Sequence, residues 1–111
     1  MGEHITFEDF TKIDLRIGTI TEVNDFPKAR NPSYQLVIDF GPLGVKKSSA
    51  QISTLYKKEH LINRQIVAVV NFPSKQIADF KSECLVLGAV DGKDVMLLKP
   101  EERVENGSTV A

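Results

Sequence analysis

Nine lysines and arginines fall between residues 28 and 81 (Lys28, Arg30, Lys46, Lys47, Lys57, Lys58, Arg64, Lys75, Lys81), with only three acids beside them, Asp39, Glu59 and Asp79. That span carries +6, whereas residues 1–27 carry −4 and residues 82–111 carry −3, so a formal charge of −1 conceals a sorted distribution. Basic side chains interleaved with aromatic rings supply what an anionic polymer needs: cations for phosphates and flat faces for bases. The same pairing of a polar rim with apolar rings suits an extended polypeptide. Both types concentrate in Asn-Phe-Pro-Ser-Lys-Gln-Ile-Ala-Asp-Phe-Lys-Ser-Glu-Cys-Leu-Val-Leu, residues 71–87, a basic and aromatic loop between two strand-like apolar runs.

Catalytic chemistry has no comparable foothold. The chain has no glycine-rich phosphate loop, no nucleophile elbow and no His–carboxylate spacing suited to proton transfer. His4 and His60 are far apart, with no cysteine or carboxylate at ligand spacing, so neither a metal site nor a cofactor is expected. Cys84 is the sole cysteine, which excludes an internal disulfide, and its neighbours Leu85 and Val86 predict a small buried residue. Asp14 and Arg16, two residues apart, suit a structural ion pair. Asn106-Gly107-Ser108 matches a glycosylation acceptor in form and reads as a turn. The expectation is a binding module and not an enzyme.

The elements that must position these residues can be read from period and punctuation. At 111 residues, 41% apolar and 26% charged, the chain has material for one domain, 1–111. No apolar run approaches the roughly 18 residues of a membrane span, and the acidic start lacks the pattern of a signal peptide, so a cytoplasmic protein without membrane insertion is expected. Thr6 followed by Phe7, Glu8, Asp9 and Phe10 predicts a short capped helix. Leu15 to Asp25 predicts a long strand bent at Gly18. Phe26 to Pro32 is a loop, and Tyr34 to Phe40 and roughly Val45 to Ile52 are strands about the Gly41-Pro42-Leu43-Gly44 turn. Ser53 is placed as the cap of a short helix ending near Lys57 and Lys58. Ile66 to Val70 and Cys84 to Val90 are further strands, and Val95 to Leu98 an added hairpin arm after Asp91-Gly92.

Three strands, a short helix and two strands is the order of the OB-fold, a five-stranded Greek-key barrel, here all-β with an N-terminal helix and a C-terminal hairpin extension. Its usual ligand surface is the face of strands 2 and 3 with the loops joining strands 1–2 and 4–5. Those elements carry Lys28, Arg30, Lys46, Lys47, Lys75 and Lys81, with Ser82 following. Phe72, directly after the buried fourth strand, is assigned to the core, and Phe80, between Asp79 and Lys81, is the candidate exposed ring. A groove lined by Phe80, Phe26 and Ile77 would receive an extended segment. Phe7 and Phe10 before the barrel, and Val95, Leu97 and Val104 after it, are apolar additions beyond five strands and predict a homodimer interface.

The stretch Asp14-Leu15-Arg16-Ile17-Gly18-Thr19-Ile20 resembles the tRNA-binding OB domains found free as dimers and appended to methionyl- and phenylalanyl-tRNA synthetases, and nearly the whole chain fits that pattern. Phe26-Pro27-Lys28-Ala29-Arg30, Lys47-Ser48-Ser49-Ala50-Gln51-Ile52, Ala68-Val69-Val70-Asn71-Phe72-Pro73 and Phe80-Lys81-Ser82-Glu83 are more similar to the CsaA-type, export-related chaperone branch of that family. The tRNA-binding branch has His-Pro-x-Ala-Asp-Lys-Leu where this chain has Phe26 to Pro32, and Ser-x-Gly-Met-Leu where it has Ser82-Glu83-Cys84-Leu85. The resemblance implies an OB core, a homodimer and binding of unfolded or precursor proteins on their way to the export machinery, with tRNA as the alternative ligand.

Overall fold

Along residues 34–39 buried and half-buried positions alternate, so Tyr34, Leu36 and Ile38 line one side of a strand and Gln35, Val37 and Asp39 the other. A computed structural model, describing residues 2–111, arranges that strand with eight others and two short helices. In chain order these are α1 (Phe7–Thr11), β1 (Leu15–Asp25), β2 (Tyr34–Asp39), a 3-10 turn at Gly41–Leu43, β3 (Val45–Ala50), α2 (Lys58–Leu61), β4 (Gln65–Val69), β5 (Lys75–Ile77), β6 (Phe80–Ser82), β7 (Leu85–Val86), β8 (Gly88–Asp91) and β9 (Asp94–Leu97).

Five strands pair antiparallel in the order β3-β2-β1-β4-β7. The sheet then curls until its two edges meet. Ser48 Oγ donates to the Cys84 carbonyl at 2.9 Å and the Glu83 N–H donates to the Lys47 carbonyl at 2.7 Å, drawing β3 onto the segment entering β7. The result is the nearly closed OB barrel that the element order predicts.

Closure depends on the bend in β1. Its first half, Leu15–Thr19, pairs with β4, and Thr19–Asp25 pairs with β2 across a register irregularity between Ile20 and Glu22. Gly18 sits at the inside of the bend, where an added Cβ would stand 2.7 Å from both Ile38 and the Phe40 ring. Ile20, Leu36, Ile38, Phe40, Leu61 and Ile66 fill the interior and are fully buried. Each contributes roughly 1.5–3 kcal/mol by leaving water.

The free side of early β1 is occupied by the C-terminal segment. Ile17 N–H donates to Ser108 at 3.0 Å, Gly107 N–H to Ile17 at 2.7 Å and Val110 N–H to Leu15 at 2.9 Å. Neutral side chains and the Arg16 guanidinium lock this seam. Thr19 Oγ1 donates to Asn106 Oδ1 at 2.6 Å, and Gln65 Nε2 donates to the same oxygen at 3.1 Å and to the Val104 carbonyl at 2.7 Å. The Asn106-Gly107-Ser108 stretch is the predicted turn, with Gly107 at φ +92°.

Four expectations need correction. Ser53 caps no helix: Leu55 and Tyr56 N–H groups turn back onto the Ile52 carbonyl, and α2 begins at Lys58, where one turn drops Leu61 into the core. The strand expected from Cys84 to Val90 is divided, with β7 closing the barrel and β8 leaving it to pair with β9. The basic loop itself contains a hairpin, β5–β6, with Ala78 at φ +53° at its tip. Val95 and Leu97 pack against the barrel core of their own chain, while Met96 and Leu98 point outward because residues alternate along this strand, and Val90 is exposed on β8. Among the described residues, no helix is long and apolar enough to cross a membrane.

Candidate ligand-binding groove

Three elements meet over the outer side of β3: the β1–β2 loop, the β5–β6 hairpin and the strand itself. In the hairpin, Ile77 pairs with Phe80 and Lys75 with Ser82, so these four share one face, and Gln76 and Lys81 share the other. The first face turns onto the barrel. Ser82 Oγ accepts the Ser49 N–H at 3.2 Å, and the Phe80 ring lies 5.3 Å from that of Phe26, tilted at 58°. Lys47 Nζ stands 5.4 Å from the Phe80 centroid, a cation over a ring face. Lys28 Nζ reaches Asp79 Oδ2 at 2.9 Å, tying the β1–β2 loop to the hairpin tip and holding the Asp79 carboxyl below its ordinary value through that hydrogen bond and charge.

Between loop, strand and hairpin runs a groove of about 540 Å³ bordered by Arg30, Asn31, Ser49, Gln51, Lys75 and Ile77. Arg30 and Lys75 therefore share one concavity, and Lys28 and Lys47 stand at the hairpin's contacts with the barrel. Lys46 and Lys81 do not join them. Lys46 pairs across the sheet with buried Ile38 and so projects toward the barrel interior's end, near Cys84, whereas Lys47 pairs with Val37 on the outer side. Lys81 is exposed on the hairpin's far face.

The two aromatic assignments exchange places. Phe80 is 7% exposed and Phe26 4%, so the pair forms the seat of the hairpin and cannot line an open groove. Phe72 is 53% exposed. Asn71 causes this: its Oδ1 accepts the Asp14 N–H at 2.9 Å and its Nδ2 donates to the Lys12 carbonyl at 2.8 Å, so the chain is held at 71 and swings outward before Pro73. Phe72, Pro73, Lys75, Ser82, Cys84 and Leu85 line a recess of about 360 Å³ that sequence reasoning missed. The signal was the Phe-Pro pair, since a proline directly after a ring ends the strand and denies the ring a place in it.

Cys84 lies at this recess with its thiol pushed up to about 11, chiefly by burial. Asp14 and Arg16 form the expected ion pair at 2.6 Å, and Arg16 also donates to the Gly107 carbonyl at 3.0 Å. Tyr34 is buried and donates to the Tyr56 carbonyl at 2.8 Å, a core role. Of the residues assigned to an interface, Phe7 is 80% and Val104 44% exposed, and Phe10 is half-buried beside Phe7. Among the described residues, no three His, Cys, Asp or Glu side chains gather where a metal ion would be held.

The family model of the tRNA binding domain matches residues 15–109, the barrel together with its C-terminal seam. The chain belongs to the tRNA-binding domain family. Within that family it is similar to the chaperone CsaA of Bacillus anthracis str. Ames, at 54% identity and a TM-score of 0.93 over 98% of this chain and 100% of that one. It is equally similar to the CsaA chaperone protein of Picrophilus torridus, at 56% identity and a TM-score of 0.92 over 97% of this chain and 100% of that one. The methionine–tRNA ligase of Pyrococcus furiosus is 39% identical over 108 residues, which are 97% of this chain and 15% of the ligase. The chain thus spans about 15% of the length of that curated relative.

Proposed function

We propose that this tRNA-binding-family protein is a non-catalytic, homodimeric chaperone that holds extended segments of unfolded or precursor proteins in the cytoplasm and passes them to the export machinery. The observation that carries the reading is its likeness along essentially the whole of both chains to two proteins named as CsaA chaperones, at 54% and 56% identity. The surface supports it. Exposed Phe72 and Leu85 offer an apolar seat for a client side chain, with Lys75 at its border. Among the described residues β5 pairs with β6 alone, so its other edge leaves backbone groups open to an added client strand. Ile5, Phe7, Val90 and Met96 are exposed apolar side chains for a second copy to cover.

The test is suppression of aggregation of an unfolded client by the wild type and by Phe72→Asp. The variant should fold and lose most of the protection, because a charge in an apolar seat must be desolvated before a client ring can enter. Full protection by a folded Phe72→Asp would overturn the assignment of this recess. Sedimentation equilibrium checks the dimer, and a monomer at micromolar concentration would contradict it.

A second reading, tRNA binding, rests on Arg30 and Lys75 sharing the polar groove and on membership of the family. Here Lys28, Arg30, Lys47 and Lys75 would meet phosphates. Charge reversal at Lys75 should then lower tRNA affinity and make its salt dependence shallower by about 1 in log–log slope.

A further inference from the structure

A separate concavity of about 320 Å³ opens between the α2–β4 turn and the segment after β9, and none of its lining residues borders the Arg30–Lys75 groove. Arg64, Lys99 and Arg103 line it, together with His60, and Glu101 is the one acid there. Two of the cations are held in place by neutral groups. Arg103 donates through Nη1 to the Asn63 carbonyl at 2.9 Å and through Nη2 to Thr19 Oγ1 at 3.3 Å. The Arg64 guanidinium lies 5.2 Å from the centroid of Tyr56, whose hydroxyl is fixed by accepting the Leu97 N–H at 3.0 Å.

Neither arrangement neutralises charge. The ion pairs among the described residues use Lys12, Arg16, Lys28 and Lys58, and none involves Arg64, Lys99 or Arg103. Three permanent cations around one recess repel one another, and an anion entering between them removes that cost. Guanidinium forks match the paired oxygens of a phosphate, and their immobilisation lowers the entropy lost when it binds.

We propose that this recess is a second RNA-contact site that takes a backbone phosphate through Arg64, Lys99 and Arg103, an inference that rests on the tRNA-binding reading above. With the Arg30–Lys75 groove it gives the domain two phosphate contacts joined by one rigid barrel.

The experiment measures tRNA affinity against salt for the wild type, Lys99→Glu, Arg64→Gln and the double variant, with thermal unfolding as the control for fold. Arg103 is left alone because its bonds to Asn63 and Thr19 brace the turn. Each single change should make the log–log salt slope shallower by about 1 and the double change by about 2, with unfolded-client binding unchanged. Wild-type slope and affinity in variants that melt like the wild type would overturn the site while leaving tRNA binding intact. No tRNA binding by the wild type would overturn both the reading and the RNA assignment. Inorganic phosphate, titrated while amide signals of residues 64 and 99 are followed, separates the ligand sources: a shift with unaltered tRNA affinity in the variants would also overturn the assignment to RNA.

Discussion

The seam that fastens the C-terminal segment to β1 and the rim built by the β5–β6 hairpin use polar side chains in opposite ways. At the seam, Thr19 and Gln65 are 6% and 5% exposed and bond through neutral groups to Asn106 and Val104. At the rim, Lys28 and Asp79 have side chains 67% and 63% exposed and meet as a screened ion pair. Buried neutral bonds do not respond to salt and are costly to orphan, whereas exposed charges exchange partners at little cost. The seam is therefore built to stay, and the rim is free to trade its contacts for a ligand's.

Phe80 tests that division most severely, because it is the rim's one deep anchor. Phe80→Ala should lower stability by about 3–5 kcal/mol, as expected for emptying a buried ring position, and should release the hairpin from Phe26. Denaturant unfolding measures the first effect, and hydrogen exchange at residues 75–82 the second. A loss below about 0.5 kcal/mol, the range of ordinary surface changes, would place Phe80 outside the core.

At the seam, Asn106→Ala removes the oxygen that accepts from both Thr19 and Gln65. The expected cost is about 1–3 kcal/mol for leaving buried donors unpaired. Urea midpoints that do not move would show that water replaces Asn106 freely, and the contrast between seam and rim would weaken.

Cys84, just after the rim hairpin, adds a pH dependence. Its thiol is held at about 11 against an ordinary 9.0, so above pH 9 the unfolded chain loses the proton while the folded chain keeps it. Stability should consequently fall as pH rises from 9 toward 11, by on the order of 2 kcal/mol from this group. Cys84→Ala should flatten that part of the profile, and an equally steep decline in the variant would assign it to lysines instead.

The smallest effect is expected at the rim's surface. Lys28→Ala should leave the melting temperature unchanged while the Asp79 carboxyl rises toward its ordinary value of 3.8, read by NMR titration, since Lys28 is the first cause of its depression. A clear drop in melting temperature would mean that the loop and hairpin are clamped by charge after all.

Legibility in the sequence follows the same division. The bounds Leu15–Asp25 and the crowded bend at Gly18 were readable because strand period and a lone glycine report directly on the interior. So was the OB order. The rim was not, because its hairpin turns at Ala78-Asp79 without the Gly or Asn that marks a positive φ, leaving Ile77 and Phe80 looking like loop residues. Phe72 and Phe80 were exchanged for that reason: one loses its place through Asn71 and Pro73, the other gains one through cross-strand pairing. Lys46 and Lys47 both fall on the strand expected to carry the ligand face, yet neighbouring strand residues face opposite ways, and only Lys47 is on the outer side. The cations at Arg64, Lys99 and Arg103 were invisible as a group because only the folded seam brings them together.

The most direct measurement is a side-by-side salt titration of an unfolded precursor segment and of tRNA, each against wild type and Phe72→Asp, by fluorescence anisotropy. Precursor binding should barely respond to salt and should be lost in Phe72→Asp, because apolar burial is not screened as phosphate contacts are. Precursor binding that weakens with salt as steeply as tRNA binding, and that persists in a folded Phe72→Asp, would contradict the chaperone reading at its centre.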